Sequence, residues 1–370
     1  MRGRFKFNIL LAMEYSVYIT YKCNLRCSFC YVKKKISLYD TPTLTDEHIE
    51  QIIKYISTNK NGQKDRVMFF GGEPLIDYEI IKKFINKSGG LNLSYGIYTN
   101  GLLLNSVPLD FLKLLDIFLI SIDGDKKAHE KYRGQTYKKI VGNIKKIKPK
   151  LDSLIIGRVT VTEETNIYKS VKSLINDVDA VHWQIVNKPQ FNDTEKFINN
   201  YRTDIKELFD FWLFNFKRDK LLNIIPFQAI IASLIFNYPK NNWSFRCGTG
   251  SELQTIDIDG NIYYCDEYVG NKKALIGNIY NDDRIDLKYQ QHKNIFKDCK
   301  NCEVSPICRG RCRRCLQEYS VNQIRNYCNL NKYLIEIISK KINEIKNIFS
   351  NRKYTLKNFY NIPDCTEEIP

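Results

Sequence analysis

No segment of this chain approaches the roughly 18 to 20 consecutive apolar residues that a bilayer crossing needs, so a membrane span is not expected. An export signal is missing too. The opening MRGRFKFNILLA turns from basic to apolar, but the apolar run lasts only about five residues and no small-residue cleavage site follows. The chain has no low-complexity tract and no internal repeat. Its 43% hydrophobic and 26% charged residues are ordinary globular usage, which excludes a disordered tail, a collagen-like rod and a coiled coil. No RNP or helix-turn-helix pattern accompanies the formal charge of +16. Lysines such as Lys138, Lys139, Lys145, Lys146, Lys148 and Lys150 spread along helix-like stretches, which reads as a solvated basic face, with no nucleic-acid partner expected.

Twelve cysteines are present. In a chain without an export signal the expected compartment is the cytoplasm, where clustered cysteines are metal ligands or catalytic groups more often than bridges. The 370 residues suggest two to three domains. The first half alternates short apolar strands (17–20, 67–70, 95–99, 117–122, 155–161 and 180–186) with helical segments, among them 45–58 behind a Thr45 cap and 77–87. Such units argue for an α/β fold with a parallel sheet, open or closed into a barrel, whose sites gather at the carboxyl ends of the strands. After about residue 190 the pattern changes. A Phe- and Leu-rich helical stretch at 195–237 precedes a compact piece holding eight cysteines, in which Asp259-Gly260 marks a hairpin turn. An amphipathic helix is expected at 329–349, with loop beyond.

Cys23, Cys27 and Cys30 form Cys-x3-Cys-x2-Cys directly after the first strand. Three thiolates on one short loop can hold three corners of a [4Fe–4S] cube and leave the fourth iron without a protein ligand. An open metal position is what catalysis requires. YKCNLRCSFCY resembles the signature of the radical SAM superfamily, with Phe29 as its aromatic. The resemblance implies a partial (β/α)6 TIM-like barrel and a cluster whose open iron chelates S-adenosyl-L-methionine (SAM). Reductive cleavage of SAM then gives a 5′-deoxyadenosyl radical. It further implies cofactor contacts at Gly71, Gly72, Glu73 and Pro74, which resemble the GGEP motif, and at Asn100, Ser121 and Arg133. For Ser121 and Arg133 a helix cap and an ion pair remain open.

Downstream, Cys247-x12-Gly260-x4-Cys265, Cys299-x2-Cys302-x5-Cys308-x3-Cys312 and Cys328 resemble the seven-cysteine SPASM pattern. By that resemblance two auxiliary [4Fe–4S] clusters are expected. Cys299, Cys302, Cys308 and Cys328 would hold the outer one, and Cys247, Cys265 and Cys312 the inner one. The inner cluster then lacks a fourth cysteine, since residues 241–246 offer none and Cys315 is an open alternative. Cys365 reads as a free thiol. A competing reading joins Cys299, Cys302, Cys312 and Cys315 into a zinc ribbon on an RNA-modifying enzyme. The expected organisation is an N-terminal extension (1–12, with Met13 an alternative start), a radical SAM core (13–195), a helical linker (196–244), a small Cys-rich SPASM domain with a β-hairpin and helices (245–330), and a C-terminal helix and tail (331–370).

As a whole the chain resembles the archaeal peptide-modifying radical SAM/SPASM family. That resemblance implies an oxidoreductase or maturase acting on a peptide or protein side chain, by thioether formation, carbon–carbon crosslinking or oxidation, with ferredoxin or flavodoxin as electron donor. The alternative is an anaerobic sulfatase maturase, which the CDxYV segment and CRRC resemble. In that family the aspartate after the cysteine, here Asp266, is the general base on a substrate Cys or Ser. A capping or ion-pairing Asp266 stays open, as does packing or substrate contact for His182 and Trp183.

Overall fold

Each apolar run of the first half becomes a strand because it is covered on both sides, as parallel strands are. The structure, a computed structural model, describes residues 12–32, 42–59, 64–188, 190–237, 247–250, 252–281, 297–361 and 369–370. Residues 1–11 and 241–246 and Cys365, which figure in the sequence reading, lie outside them. The strands are β1 (Glu14–Thr20), β2 (Asp65–Gly71), β3 (Leu93–Thr99), β4 (Ile117–Ser121), β5 (Leu154–Val161) and β6 (Ala180–Ile185). They pair in parallel as neighbours in the order β6-β5-β4-β3-β2-β1. Val67, Met68 and Phe69 of β2 have no solvent exposure at all.

On its other side β1 pairs in parallel with β7 (Leu253–Ile256), Val17 opposite Ile256. The hairpin expected around Asp259-Gly260 then adds β8 (Asn261–Tyr263) and β9 (Leu275–Asn278) antiparallel. The cysteine-rich part therefore opens by extending the core sheet, and β1 lies in the interior of a nine-stranded sheet. One cavity touches inward side chains of β1 through β7 (Ser16, Phe70, Tyr98, Ser121, Arg158, Gln184 and Leu253). A flat sheet cannot surround a single cavity, so the six parallel strands curve into a partial barrel.

Helices cover the outer face. Asp46–Asn59 buries Ile49, Ile52 and Ile56, the spacing of one helical stripe. Thr45 caps it by accepting from the His48 amide (3.2 Å). The stretch expected as one helix over 195–237 is two, Thr194–Phe216 and Ile225–Phe236. Asp219 is left-handed (φ 63°) between them, and Pro226 occupies the first turn of the second, where proline is tolerated. The helix expected at 329–349 begins earlier and breaks once, giving Val321–Ser339 and Ile342–Arg352. Ser320 and Gln323 form a reciprocal capping box that fixes the earlier start. The tail also carries a short helix, Leu356–Phe359, anchored by Gln228 donating to the Phe359 carbonyl (2.6 Å). Several lysines of the outer helices pair with carboxylates, as Lys145 does with Asp177 and Lys148 with Asp179, weak surface contacts that leave the face solvated. Among the described residues no helix is long and apolar enough to cross a membrane.

Candidate active site

The carboxyl end of β1 runs straight into the cysteine loop, and three neighbours hold that loop in place. Ser28 donates its amide to the Tyr132 carbonyl (3.0 Å). Asn100, just past β3, donates its side-chain amide to Asn24 (2.7 Å). The Phe29 ring packs on Tyr132, with the Arg133 guanidinium 4.9 Å from its centre. Within the loop the Cys30 amide bonds the Cys27 carbonyl, and the Leu25 amide donates to the Cys23 sulfur (3.4 Å). Cys23, Cys27 and Cys30 all line the cavity, whose volume is about 380 Å³. Burial pushes the Cys23 thiol up to about 11, so loading a metal there expels a proton.

Arg133, at the end of the helix Lys126–Arg133, is nearly buried and forked onto Asp123 (2.8 and 3.2 Å). It also donates to Thr160 (2.9 Å) and lies against Cys27. Asp123 is itself fixed by the Thr160 amide (2.9 Å). Beside it burial lowers His129 to about 4, so the imidazole stays neutral and does not compete for the carboxylate. The ion pair left open by the sequence is therefore present, but it is buried and faces the cavity.

Gly71 and Gly72 line the cavity, yet the close approach they permit is to the chain's own backbone. A Cβ on Gly71 would sit 2.2 Å from the Thr20 carbonyl oxygen, and one on Gly72 would sit 2.2 Å from that of Lys22. The glycine pair lets the end of β2 press against the root of the cysteine loop. Glu73 and Pro74, read from the sequence as cofactor contacts, are buried and do not line the cavity. The Glu73 carboxylate accepts from the Leu75 amide (3.1 Å), the Thr99 hydroxyl (2.8 Å) and the Asn100 amide (2.7 Å). It bolts the β2 and β3 ends together. Burial raises it to about 7. Asn100 and Ser121 do line the cavity.

The downstream cysteines fall into two groups. Cys247, Cys265 and Cys312 line the same cavity as the first loop, and burial raises the Cys265 thiol. Burial raises the Cys299 and Cys328 thiols, and each lies near others of the set, Cys299 near Cys308 and Cys302, Cys328 near Cys308 and Cys299. These four form the second group. Cys315 is buried, does not line the cavity, and donates to the Asn187 side chain (3.7 Å). The four cysteines of the zinc-ribbon reading are thus divided between different surroundings. Among the described residues no set of three or more His, Cys, Asp or Glu side chains closes on a single metal ion. The thiol sets instead suit a multi-iron cluster, which spreads its ligands over a cube.

Asp266 lines the cavity between these sets. Its Oδ2 accepts from the Tyr31 hydroxyl (3.1 Å) and its carbonyl from Tyr18 (3.0 Å). Neighbouring Glu267 is paired with Arg314 (2.6 Å) and bonded by Asn187 (2.7 Å). Trp183 points out of the barrel onto Phe227 (5.6 Å, edge to face), and His182, on the same face of β6 as Gln184, is fully buried and does not line the cavity. The lumenal residue of that strand is Gln184, which was not singled out. Nor were Arg158, Thr160 and Tyr98. Their signal was polar residues at alternate positions of otherwise apolar strands, the period that turns side chains inward.

Residues 17–170 match the family model described as the radical SAM superfamily. The cysteine-type anaerobic sulfatase-maturating enzyme of Clostridium novyi is 28% identical over 335 residues, 79% of this chain and 85% of that protein. The radical SAM cyclopropyl synthase TigE of Paramaledivibacter caminithermalis is 24% identical over 371 residues, 90% of this chain and 74% of that protein. The solved structure of native anSMEcpe with bound AdoMet shares the fold at a TM-score of 0.69 and 23% identity, covering 90% of this chain and 100% of its own.

Proposed function

Residues 17–170 of this chain are a radical SAM domain, and on that premise we propose that it is an enzyme that oxidises a side chain of a peptide or protein. The observation that carries this reading is one cavity reached by Cys23, Cys27 and Cys30, by Cys247, Cys265 and Cys312, and by Asp266. With an iron–sulfur cluster on the first three cysteines, SAM bound to it supplies a radical that takes a hydrogen atom. Arg133, held by Asp123, and Ser121 orient the cosubstrate, and the Gly71-Gly72 edge keeps the loop at its station. Cys247, Cys265 and Cys312 hold the inner auxiliary cluster, and Cys299, Cys302, Cys308 and Cys328 the outer one. Two-electron oxidation of a Cys or Ser side chain removes one hydrogen atom, one proton and one electron. Asp266, steadied by Tyr31, takes the proton, and the inner thiol set carries the acceptor for the electron. Ferredoxin or flavodoxin supplies the priming electron, and the cytoplasm suits the free thiols.

The maturase relative favours oxidation to a carbonyl. The cyclopropyl synthase relative supports a second reading, bond formation within a ribosomal peptide. Reduced, iron-loaded protein incubated with SAM and a short cysteine-centred peptide separates them. Oxidation gives 5′-deoxyadenosine and a thioaldehyde that water hydrolyses to a hydrazide-reactive carbonyl with release of sulfide, whereas bond formation gives loss of two hydrogens with the sulfur retained and no carbonyl. Asp266→Asn should keep 5′-deoxyadenosine formation while product falls by about 10²-fold or more. Undiminished product from that variant with full iron content removes Asp266 from the chemistry, and absence of 5′-deoxyadenosine from the wild-type chain overturns the reading as a whole.

A further inference from the structure

Several charged side chains that line the barrel are neutralised by ion pairs within the structure. Arg66 pairs with Glu14 (3.1 Å), Arg133 with Asp123 (2.8 Å) and Glu267 with Arg314 (2.6 Å). Arg158 of β5 is different. Its guanidinium donates to the Gln184 carboxamide oxygen and lies 5.5 Å from the centre of the Tyr98 ring. Among the described residues no carboxylate pairs with it. It faces the cavity, beside Ser121 in the β4–β5 register. None of its nitrogens is a buried atom without a partner, so the N–H groups that Gln184 leaves free open onto the lumen. Removing an unpaired guanidinium from bulk water is costly, and its planar fork matches a carboxylate in two parallel hydrogen bonds.

We propose that Arg158, aimed by Gln184 and Tyr98, is a carboxylate-binding subsite for the substrate. Resting on the reading above, the peptide presents an acidic side chain or its terminal carboxylate to β5 while the reacting residue faces the cysteine loop. Gln184 fixes the guanidinium from the side, and the Tyr98 ring gives it a cation–π surface that leaves the in-plane donors free. Arg158 is thus a specificity determinant that selects which residue enters the lumen. It takes no part in hydrogen abstraction.

The test uses iron-loaded wild-type protein with SAM bound, and phenylglyoxal as an arginine reagent mapped to Arg158 by peptide mass spectrometry. Glutarate is the carboxylate probe and glutaramide its uncharged counterpart. At about ten times its dissociation constant glutarate should slow modification of Arg158 about tenfold, and glutaramide should not slow it. Arg158→Gln should bind SAM with unchanged affinity, read from the perturbation of the cluster's EPR signal. Failure of glutarate to protect overturns the proposal. So does protection by SAM alone that decarboxylated SAM does not give, because the subsite would then serve the cosubstrate. Should Arg158→Gln fold poorly, the wild-type protection experiment decides by itself. It requires no turnover, so a chain that forms no 5′-deoxyadenosine would fail the functional reading while leaving this result standing or falling separately.

Discussion

The two cysteine regions of this molecule are assembled by opposite routes. Cys23, Cys27 and Cys30 sit on one loop, and their grouping is settled by eight residues of chain. Distant elements only brace it: the ends of β2 and β3, and the helix Lys126–Arg133. The downstream cysteines are gathered from separate pieces. Cys265 follows the hairpin, Cys299 and Cys302 lie in the turn Lys297–Asn301 and just after it, and Cys328 is inside the helix Val321–Ser339. The pairing of β7 with β1 joins the segment that carries Cys247 and Cys265 to the core sheet, and both line the cavity. A local set can be preorganised before a metal arrives. A dispersed set depends on the metal to join its parts, and so couples metal binding to folding.

The largest effect should come from setting one ligand of each kind against the other. Cys27→Ala and Cys302→Ala are each expected to lose about four irons per chain. The first should lose 5′-deoxyadenosine formation with little change in thermal melting, and the second should melt earlier. Equal melting of the two variants, by calorimetry beside an iron assay, would break the contrast. Next is Gly72→Ala, whose added methyl meets the Lys22 carbonyl oxygen at 2.2 Å and should cost about 1–3 kcal/mol or more. SAM binding should fall while the downstream iron is retained. Gly90→Ala, with nothing within 4 Å of the new Cβ, is the control, expected within about 0.5 kcal/mol of wild type.

A smaller effect is expected from the Glu73 bolt. Folded, it holds its proton up to about pH 7, whereas its ordinary value is 4.5. The folded chain therefore binds more protons between those limits, and stability contributed by this group declines as pH rises through that window. Glu73→Gln should flatten that part of the melting-versus-pH curve and lose about 1–3 kcal/mol from the hydrogen bonds it can no longer accept. An unchanged slope would show that Glu73 does not titrate there. Smallest of all should be Cys315→Ser, whose hydroxyl can still donate to Asn187. Iron content should not change, and stability should shift by about 1 kcal/mol. Loss of about four irons would instead put Cys315 in the inner set.

The same contrast explains what could be read from the sequence. The cysteine loop was legible because its spacing is local, and the strands because apolar runs covered on both faces leave little else to form. Helix limits were harder: one long stretch hid the turn around Asp219, and the start at Val321 depended on the Ser320 and Gln323 pair. The glycine pair was found and lines the cavity, but its close packing on the backbone of Thr20 and Lys22 was not legible, because that contact exists only once β1 and β2 pair. Glu73 was assigned to the cavity although its partners, Thr99 and Asn100, come from another strand end. The lumenal Arg158 and Gln184 were passed over because a polar residue in a strand gains meaning only once the sheet has curved.

The account rests on Cys23, Cys27 and Cys30 presenting an iron that SAM can reach. Electron paramagnetic resonance of the reduced, oxygen-free protein, recorded before and after SAM is added, tests this most directly. The spectrum should change on addition in the wild-type chain and in Cys302→Ala, and stay unaltered in Cys27→Ala. Superimposable wild-type spectra with and without SAM would contradict it.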